Sequence, residues 1–318
     1  MGLPRSSRLA FTADLEICRL LAGMWQVSGA HGRIDRERAL TAMVAHFDAG
    51  FMTFDLADHY GPAEDLVGEF RRRLRAERGE AALARLRALT KWVPEPGPMT
   101  RAIVERAIDT SLARMDAPVL DLLQFHWWDY GDLRYLNALG HLADLRDAGK
   151  IRGLALTNFD TEHLEMLLDR GIRVVSNQVQ YSLVDRRPEV AMSELCRRGG
   201  VLLLTYGTMA GGFFAERYLG RAAAGRAIGA TSEGLAQTSL TSACRFLPAE
   251  SLMTPPSASA RVTGWVSVLM GWSLMRPPPP LMSRRASPFD AANPARRKSS
   301  NAGMPFARTS RESSMVGS

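Results

Sequence analysis

Seven short apolar runs recur between residues 19 and 206, separated by stretches with the spacing of amphipathic helices. The runs cover residues 19–26, 52–56, 88–92, 122–127, 153–158, 174–181 and 201–206. Each is continuous in apolar residues rather than alternating, as in strands buried on both faces. Between them Leu66, Phe70 and Leu74 repeat every fourth residue, as do Val104, Ile108 and Leu112, and Leu164 with Leu168. Thr100 suits a helix cap, Pro188 a first helical turn, and Gly149, Gly171 and the Gly199–Gly200 pair the ends of helices. Strands alternating with helices in this way predict an α/β fold, a (β/α)8 barrel with seven strands recognisable and the eighth not found. An open doubly wound sheet is the alternative, but no G-x-G-x-x-G follows the first run.

A chain of 318 residues is long enough for one such barrel, which commonly uses about 250. The formal charge of +7 does not mark a nucleic-acid surface. From Ser251 onward there are nine basic and two acidic residues, so the preceding part carries equal numbers of each sign. The same terminal stretch holds 9 of the 17 prolines, the run at 277–280 and 13 serines, and it shows no helical periodicity. The expected organisation is therefore a barrel over residues 1–240 and an irregular Ser/Pro/Arg-rich segment over 241–318. Arginine outnumbers lysine 37 to 3, a mark of GC-rich coding, and a shifted frame in such DNA reads as Arg, Pro, Ser and Ala. The terminal segment thus reads as a frame-slipped or unrelated extension. Cys18, Cys196 and Cys244 have no metal-ligand spacing and cannot all pair, which points to a reducing, cytoplasmic setting and no metal. The first apolar stretch is broken by Asp14, Glu16 and Arg19, unlike a signal-peptide core, and no run is long enough for a membrane span.

Polar residues stand where the runs end. Asp55 closes the second, Lys91 lies at the end of the third, His126 of the fourth and Asn158 of the fifth; Gln178 lies in the sixth and Tyr206 ends the seventh. In a parallel barrel these ends meet on the face that carries active sites. Taken singly, Asp55 reads as a cap, Tyr60 as a packing aromatic and His126 as a core histidine. Lys91 says more, because arginine is this chain's default cation and a retained lysine points to a role a guanidinium cannot fill. Trp25, Trp92, Trp127 and Trp128 fall at the same strand ends and predict an aromatic pocket mouth.

The segment Asp55-Leu-Ala-Asp-His-Tyr60-Gly61, with Glu64 after it, resembles the D-x-A-x-x-Y-G signature of aldo-keto reductases. Lys91 follows 31 residues after Tyr60 and His126 a further 35, both fitting successive strands of that family. Residues 151–159, 176–181 and 206–212 are similar to its fifth, sixth and seventh strand motifs, with Ala155 and Thr157 where glycine and serine are commoner. The resemblance covers roughly residues 15–220.

The resemblance implies reduction of an aldehyde or ketone by hydride from a nicotinamide cofactor, NADP(H) rather than NAD(H). Tyr60 would be the proton donor, Lys91 would lower its pKa, Asp55 would fix Lys91, and His126 would orient the substrate oxygen. Asn158 and Gln178 would hold the cofactor's carboxamide, with Tyr206 stacked on its ring; Thr157 and Gly207 would be further cofactor-binding positions. The implied partner is a small carbonyl compound, with neither nucleic acid nor membrane. Two other readings stay open. One is a catalytically defective or non-enzymatic relative, since the region that would supply the eighth strand and the adenosine-phosphate loops is not found after Gly220. The other is a Schiff-base aldolase using Lys91.

Overall fold

The computed structural model describes residues 4–30, 32–210, 216 and 265–269. All of them fall in one unit, Met1–Arg276. An antiparallel hairpin comes first, β1 (Arg8–Ala10) with β2 (Glu16–Cys18). The seven apolar runs then become β3 (Leu20–Gly23), β4 (Thr53–Asp55), β5 (Arg87–Trp92), β6 (Leu122–His126), β7 (Leu154–Thr157), β8 (Ser176–Gln180) and β9 (Leu202–Tyr206). Each of the first six is followed by a helix: α1 (Arg36–Asp48), α2 (Ala63–Leu83), α3 (Arg101–Arg114), α4 (Arg134–Asp147), α5 (Thr161–Asp169) and α6 (Ala191–Gly199). The first run ends early as a strand, because Trp25–Val27 turn into a 3-10 helix.

Local chemistry explains the helix starts. Asp35 accepts from Arg38 N at 3.0 Å, Thr100 from Ile103 N at 3.4 Å and Asp160 from His163 N at 2.8 Å. Each side chain satisfies an amide that the first helical turn leaves without a partner. Gly149, Gly171 and Gly200 follow α4, α5 and α6, where helix ends were expected.

The sheet closes. β3 to β9 pair in sequence and in parallel, and β10 (Trp265–Leu269) pairs in parallel with both β3 and β9. The fold is the expected (β/α)8 barrel, and residues 265–269, in the segment where the sequence shows no eighth strand, pair with both edges. Sheet-edge chemistry accounts for that pairing. Seven strands leave the amides and carbonyls of β3 and β9 unpaired, and a five-residue Trp-Val-Ser-Val-Leu run is enough to satisfy both edges. So short a run shows no period against its surroundings. The rest of 241–318, and the boundary expected at 240, lie outside the described residues.

Two cores sit on either side of the strand wall. Ala88, Trp92, Leu123, Phe125, Leu154, Leu156 and Leu203 face the helices. Leu21, Leu89, Leu122, Ala155 and Leu204 face inward and pack with Phe11, Leu15 and Ile17 of the hairpin region. The hairpin therefore seals the N-terminal end of the barrel with apolar side chains. Polar groups of the strands are left for the other end. Among the described residues no helix is long and apolar enough to cross a membrane.

Val266→Pro tests the closure. Val266 is paired with Leu204 inside a strand bonded on both sides, and proline removes its N–H. A buried unmade hydrogen bond costs about 1–3 kcal/mol. For a chain of this size the thermal midpoint should fall by roughly 2–5 °C, read by calorimetry. An unchanged midpoint would show that β10 contributes nothing to the closed barrel.

Candidate active site

Inward-facing positions one layer above the apolar plug are polar. Asp55 ends β4 and Lys91 lies next to the end of β5, both almost wholly buried at 1% and 3% exposure. The Lys91 ammonium donates to Asp55 Oδ2 at 2.6 Å and to the Leu56 carbonyl at 3.0 Å. Burial works against the charged lysine, but Asp55 and Tyr60 outweigh it, and the Lys91 pKa lies above the usual lysine value. The opposite oxygen, Asp55 Oδ1, accepts from Gln124 Nε2 and from Gln178 Nε2, each at 2.8 Å. Gln178 Nε2 also donates to Gln124 Oε1 at 2.8 Å.

Tyr60 reaches this group from the loop after β4. That loop is an extension of the sheet: Leu56 N donates to Leu89 O and Asp58 N to Lys91 O, both at 2.9 Å, and Val93 N donates to Asp58 Oδ2 at 3.2 Å. The turn then passes close under Ser28. Gly61 has φ +51°, and a Cβ there would lie 2.6 Å from the Ser28 carbonyl oxygen, so only glycine fits. The result holds Tyr60 8% exposed, with Lys91 Nζ 5.2 Å from its ring centre and the Trp25 ring edge-on at 5.0 Å. Burial raises the phenol pKa above its ordinary value; Lys91 pulls it down by less, and Asp55 pushes it up again. The ammonium acts in the expected direction, but the loss of hydration is the larger effect.

His126 closes β6 beside this group, 6% exposed. Burial, then the charges of His59 and Lys91, push its pKa down to about 4. The ring is therefore neutral near pH 7. Trp128, 59% exposed, lies on it with ring centres 4.1 Å apart.

The expected cofactor residues line the mouth between β7 and β9. Thr157 ends β7, and its Oγ1 is buried with no hydrogen-bond partner among the described residues. Asn158 adopts φ +58° and accepts from the Tyr206 hydroxyl on Oδ1 at 2.9 Å. Tyr206 ends β9, and Gly207 follows with φ +69°. A buried hydroxyl without a partner beside an asparagine and a tyrosine ring fits a planar amide-bearing ring such as nicotinamide. Gln178 differs in that its amide hydrogens are taken by Asp55 and Gln124 within the barrel. Residues after 216 that would hold the adenosine phosphate lie outside the described residues.

The four expected pocket tryptophans divide. Trp25 and Trp128 flank Tyr60 and His126. Trp92 and Trp127 do not. Trp92 packs on Phe125 at 5.6 Å in the strand–helix layer, and Trp127, 3% exposed, packs on Phe125 and Tyr135. Trp127 Nε1 donates to the carbonyls of Asp129 and Asp132. For Trp92 the cause is the pleat. With Lys91 pointing in, its neighbour Trp92 must point out.

Two residues of the region escaped the sequence reading of the site. Gln124 lies two positions before His126, so it shares the inward face; a lone amide in an apolar run was the available signal. Glu64, named only as part of a motif, lies buried behind the site and accepts from Thr90 Oγ1 at 2.8 Å and Arg114 Nη1 at 3.3 Å. It ties α2 to β5 and α3, and burial raises its pKa.

Comparison with known proteins identifies the family to which this chain is similar. The profile of the aldo/keto reductase family matches residues 19–246. An aldo-keto reductase of Bacillus subtilis, YhdN, is 27% identical over 205 residues, 62% of this chain and 60% of its own length. The NADH-specific methylglyoxal reductase of Escherichia coli is 23% identical over 215 residues, 61% of this chain and 64% of its own. The chain thus spans less than two thirds of each relative. The crystal structure of an aldo/keto reductase from Klebsiella pneumoniae in complex with NADP and acetate is 25% identical, with a TM-score of 0.56. That match covers 66% of this chain and 71% of that one.

The His126 environment makes a stability prediction. Its folded pKa, about 4, is below the ordinary 6.5. The unfolded chain therefore binds the extra proton first, and stability falls as pH drops from about 6.5 through 4. The part of acid destabilisation that belongs to His126 is on the order of 3 kcal/mol. Urea unfolding of His126→Gln should show that much less loss between those pH values; equal losses in both proteins would contradict a buried neutral ring.

Proposed function

The chain belongs to the aldo/keto reductase family, and from that premise we propose that it reduces an aldehyde or ketone to the alcohol with a nicotinamide cofactor. The observation that carries the reading is the buried Asp55–Lys91 pair in contact with Tyr60, next to a neutral histidine. Thr157, Asn158 and Tyr206 would hold the cofactor, which when bound supplies the hydride to the carbonyl carbon.

The rest is done by the chain's own side chains. As negative charge develops on the substrate oxygen, Tyr60 transfers its phenolic proton to it. Lys91 then faces the phenolate and stabilises it. The raised Tyr60 pKa keeps the proton in place until a stronger base appears, which suits reduction. His126, uncharged, offers an N–H to the same oxygen without adding a second buried cation beside Lys91. Asp55 keeps Lys91 charged and in place. Trp25 and Trp128 would give the entrance apolar walls, fitting a small carbonyl compound with an apolar or aromatic substituent. We assign NADP(H) over NAD(H) from the Klebsiella relative solved with NADP. The Escherichia coli relative is named as NADH-specific, so both cofactors belong in the assay.

Tyr60→Phe removes the transferable proton and leaves the pocket's shape. The turnover of an aromatic aldehyde, followed by loss of reduced-cofactor absorbance, should fall by about 10²–10⁴. Cofactor affinity should stay within about twofold. A variant that keeps most of its turnover would sink the assignment of Tyr60. Lys91→Arg is expected to behave as a disruptive change. The larger planar cation cannot occupy the site bounded by Asp55 Oδ2, the Leu56 carbonyl and Tyr60. Activity should drop and the alkaline limb of the pH–rate profile should move; an unchanged profile would mean that Lys91 does not tune the donor.

A further inference from the structure

We propose that Gln124 is a positioning residue that sets the polarity of Gln178, so that Gln178 presents only its carbonyl oxygen to the cofactor's carboxamide. The inference rests on the nicotinamide reading above and extends it to a residue outside the four-membered donor group. Asp55 Oδ1 lies 2.8 Å from one amide atom of Gln124 and one of Gln178. A carboxylate oxygen only accepts, so both glutamines must turn their NH2 groups toward it. Gln124 has then one polar atom left, Oε1, and that atom accepts the second hydrogen of Gln178 Nε2 at 2.8 Å. Both donors of Gln178 are committed. What its amide has left for a third group is an acceptor.

The three side chains come from three strands, β4, β6 and β8, and all are buried at 2% exposure or less. Water therefore does not compete for these bonds, and turning the Gln178 amide would put its carbonyl against a carboxylate and a second carbonyl. Without Gln124 only the Asp55 bond is left. One hydrogen of Gln178 is then free, and the amide can serve as donor or acceptor. A carboxamide recognised by a fixed acceptor must give an N–H. A ring bearing an acetyl group in its place has the carbonyl but no N–H, so it loses that bond.

The test compares NADPH with its 3-acetylpyridine counterpart, with affinities read from quenching of the chain's tryptophan fluorescence. The wild type should bind the acetyl form about three- to tenfold more weakly, the effect of one hydrogen bond. In Gln124→Met, which keeps the length and removes both polar atoms, the ratio should approach one. In Gln124→Glu a carboxyl oxygen again accepts from Gln178, and the wild-type ratio should return. A structural role alone would weaken both ligands equally in the Met variant; a ratio kept there would overturn the proposal. So would equal affinities in the wild type, a measurement that needs no variant and stands even if the Met substitution unfolds the barrel. Wild type binding neither compound would instead sink the nicotinamide reading, and this inference with it.

Discussion

The ion pair between Lys91 and Asp55 is the contact on which the site is built. Removing two charges from water costs several kcal/mol for each, and a single salt bridge does not repay it. Here the balance is restored by filling the remaining valences. Lys91 also donates to the Leu56 carbonyl, and the second oxygen of Asp55 takes two amide donors. The pair is thus the centre of a network reaching from the Tyr60 loop to β8. Because each member comes from a different strand, the network also fixes how the strands stand relative to one another at the open end. A strand that slipped by one residue would turn its polar group to the helices.

That dependence on the pleat separates what was legible from what was not. Asp55, Lys91, His126 and Gln178 were found from position and resemblance, and all four side chains lie inside or at the rim of the barrel. The tryptophans were found by position alone, at strand ends, with no account of which face each one takes. Lys91 and Trp92 are neighbours, so both cannot face the interior. Applying the two-residue period to Lys91 would have sent Trp92 to the helix layer, where it packs on Phe125. The same period counted back from His126 reaches Gln124. Trp127 follows the strand, where alternation has ended, and only its contacts with Tyr135 and the Asp129 and Asp132 carbonyls show where it goes.

The eighth strand was hidden for a different reason. Apolar periodicity reports what a segment would do by itself, and residues 265–269 are too few to carry such a signal. What makes a strand of them is a demand made elsewhere, by the unpaired edges of β3 and β9. The hairpin β1–β2 is similar: three residues a side, and its reason is the open N-terminal end of the barrel that Phe11, Leu15 and Ile17 cover. Elements whose stability is supplied by the rest of the molecule are the ones a linear reading loses.

Burial also reverses a simple electrostatic expectation at Tyr60. An ammonium beside a phenol should make it more acidic, and taken alone Lys91 does so. But Lys91 is itself held by Asp55, whose negative charge reaches the phenol as well, and the ring has lost its water. A buried donor of this kind holds its proton at neutral pH and releases it only to an oxygen that has become strongly basic. In the proposed reduction, the oxygen left by hydride transfer would be such a base. On that proposal the lysine would matter after transfer, when a phenolate has to exist in a dry site, more than before it.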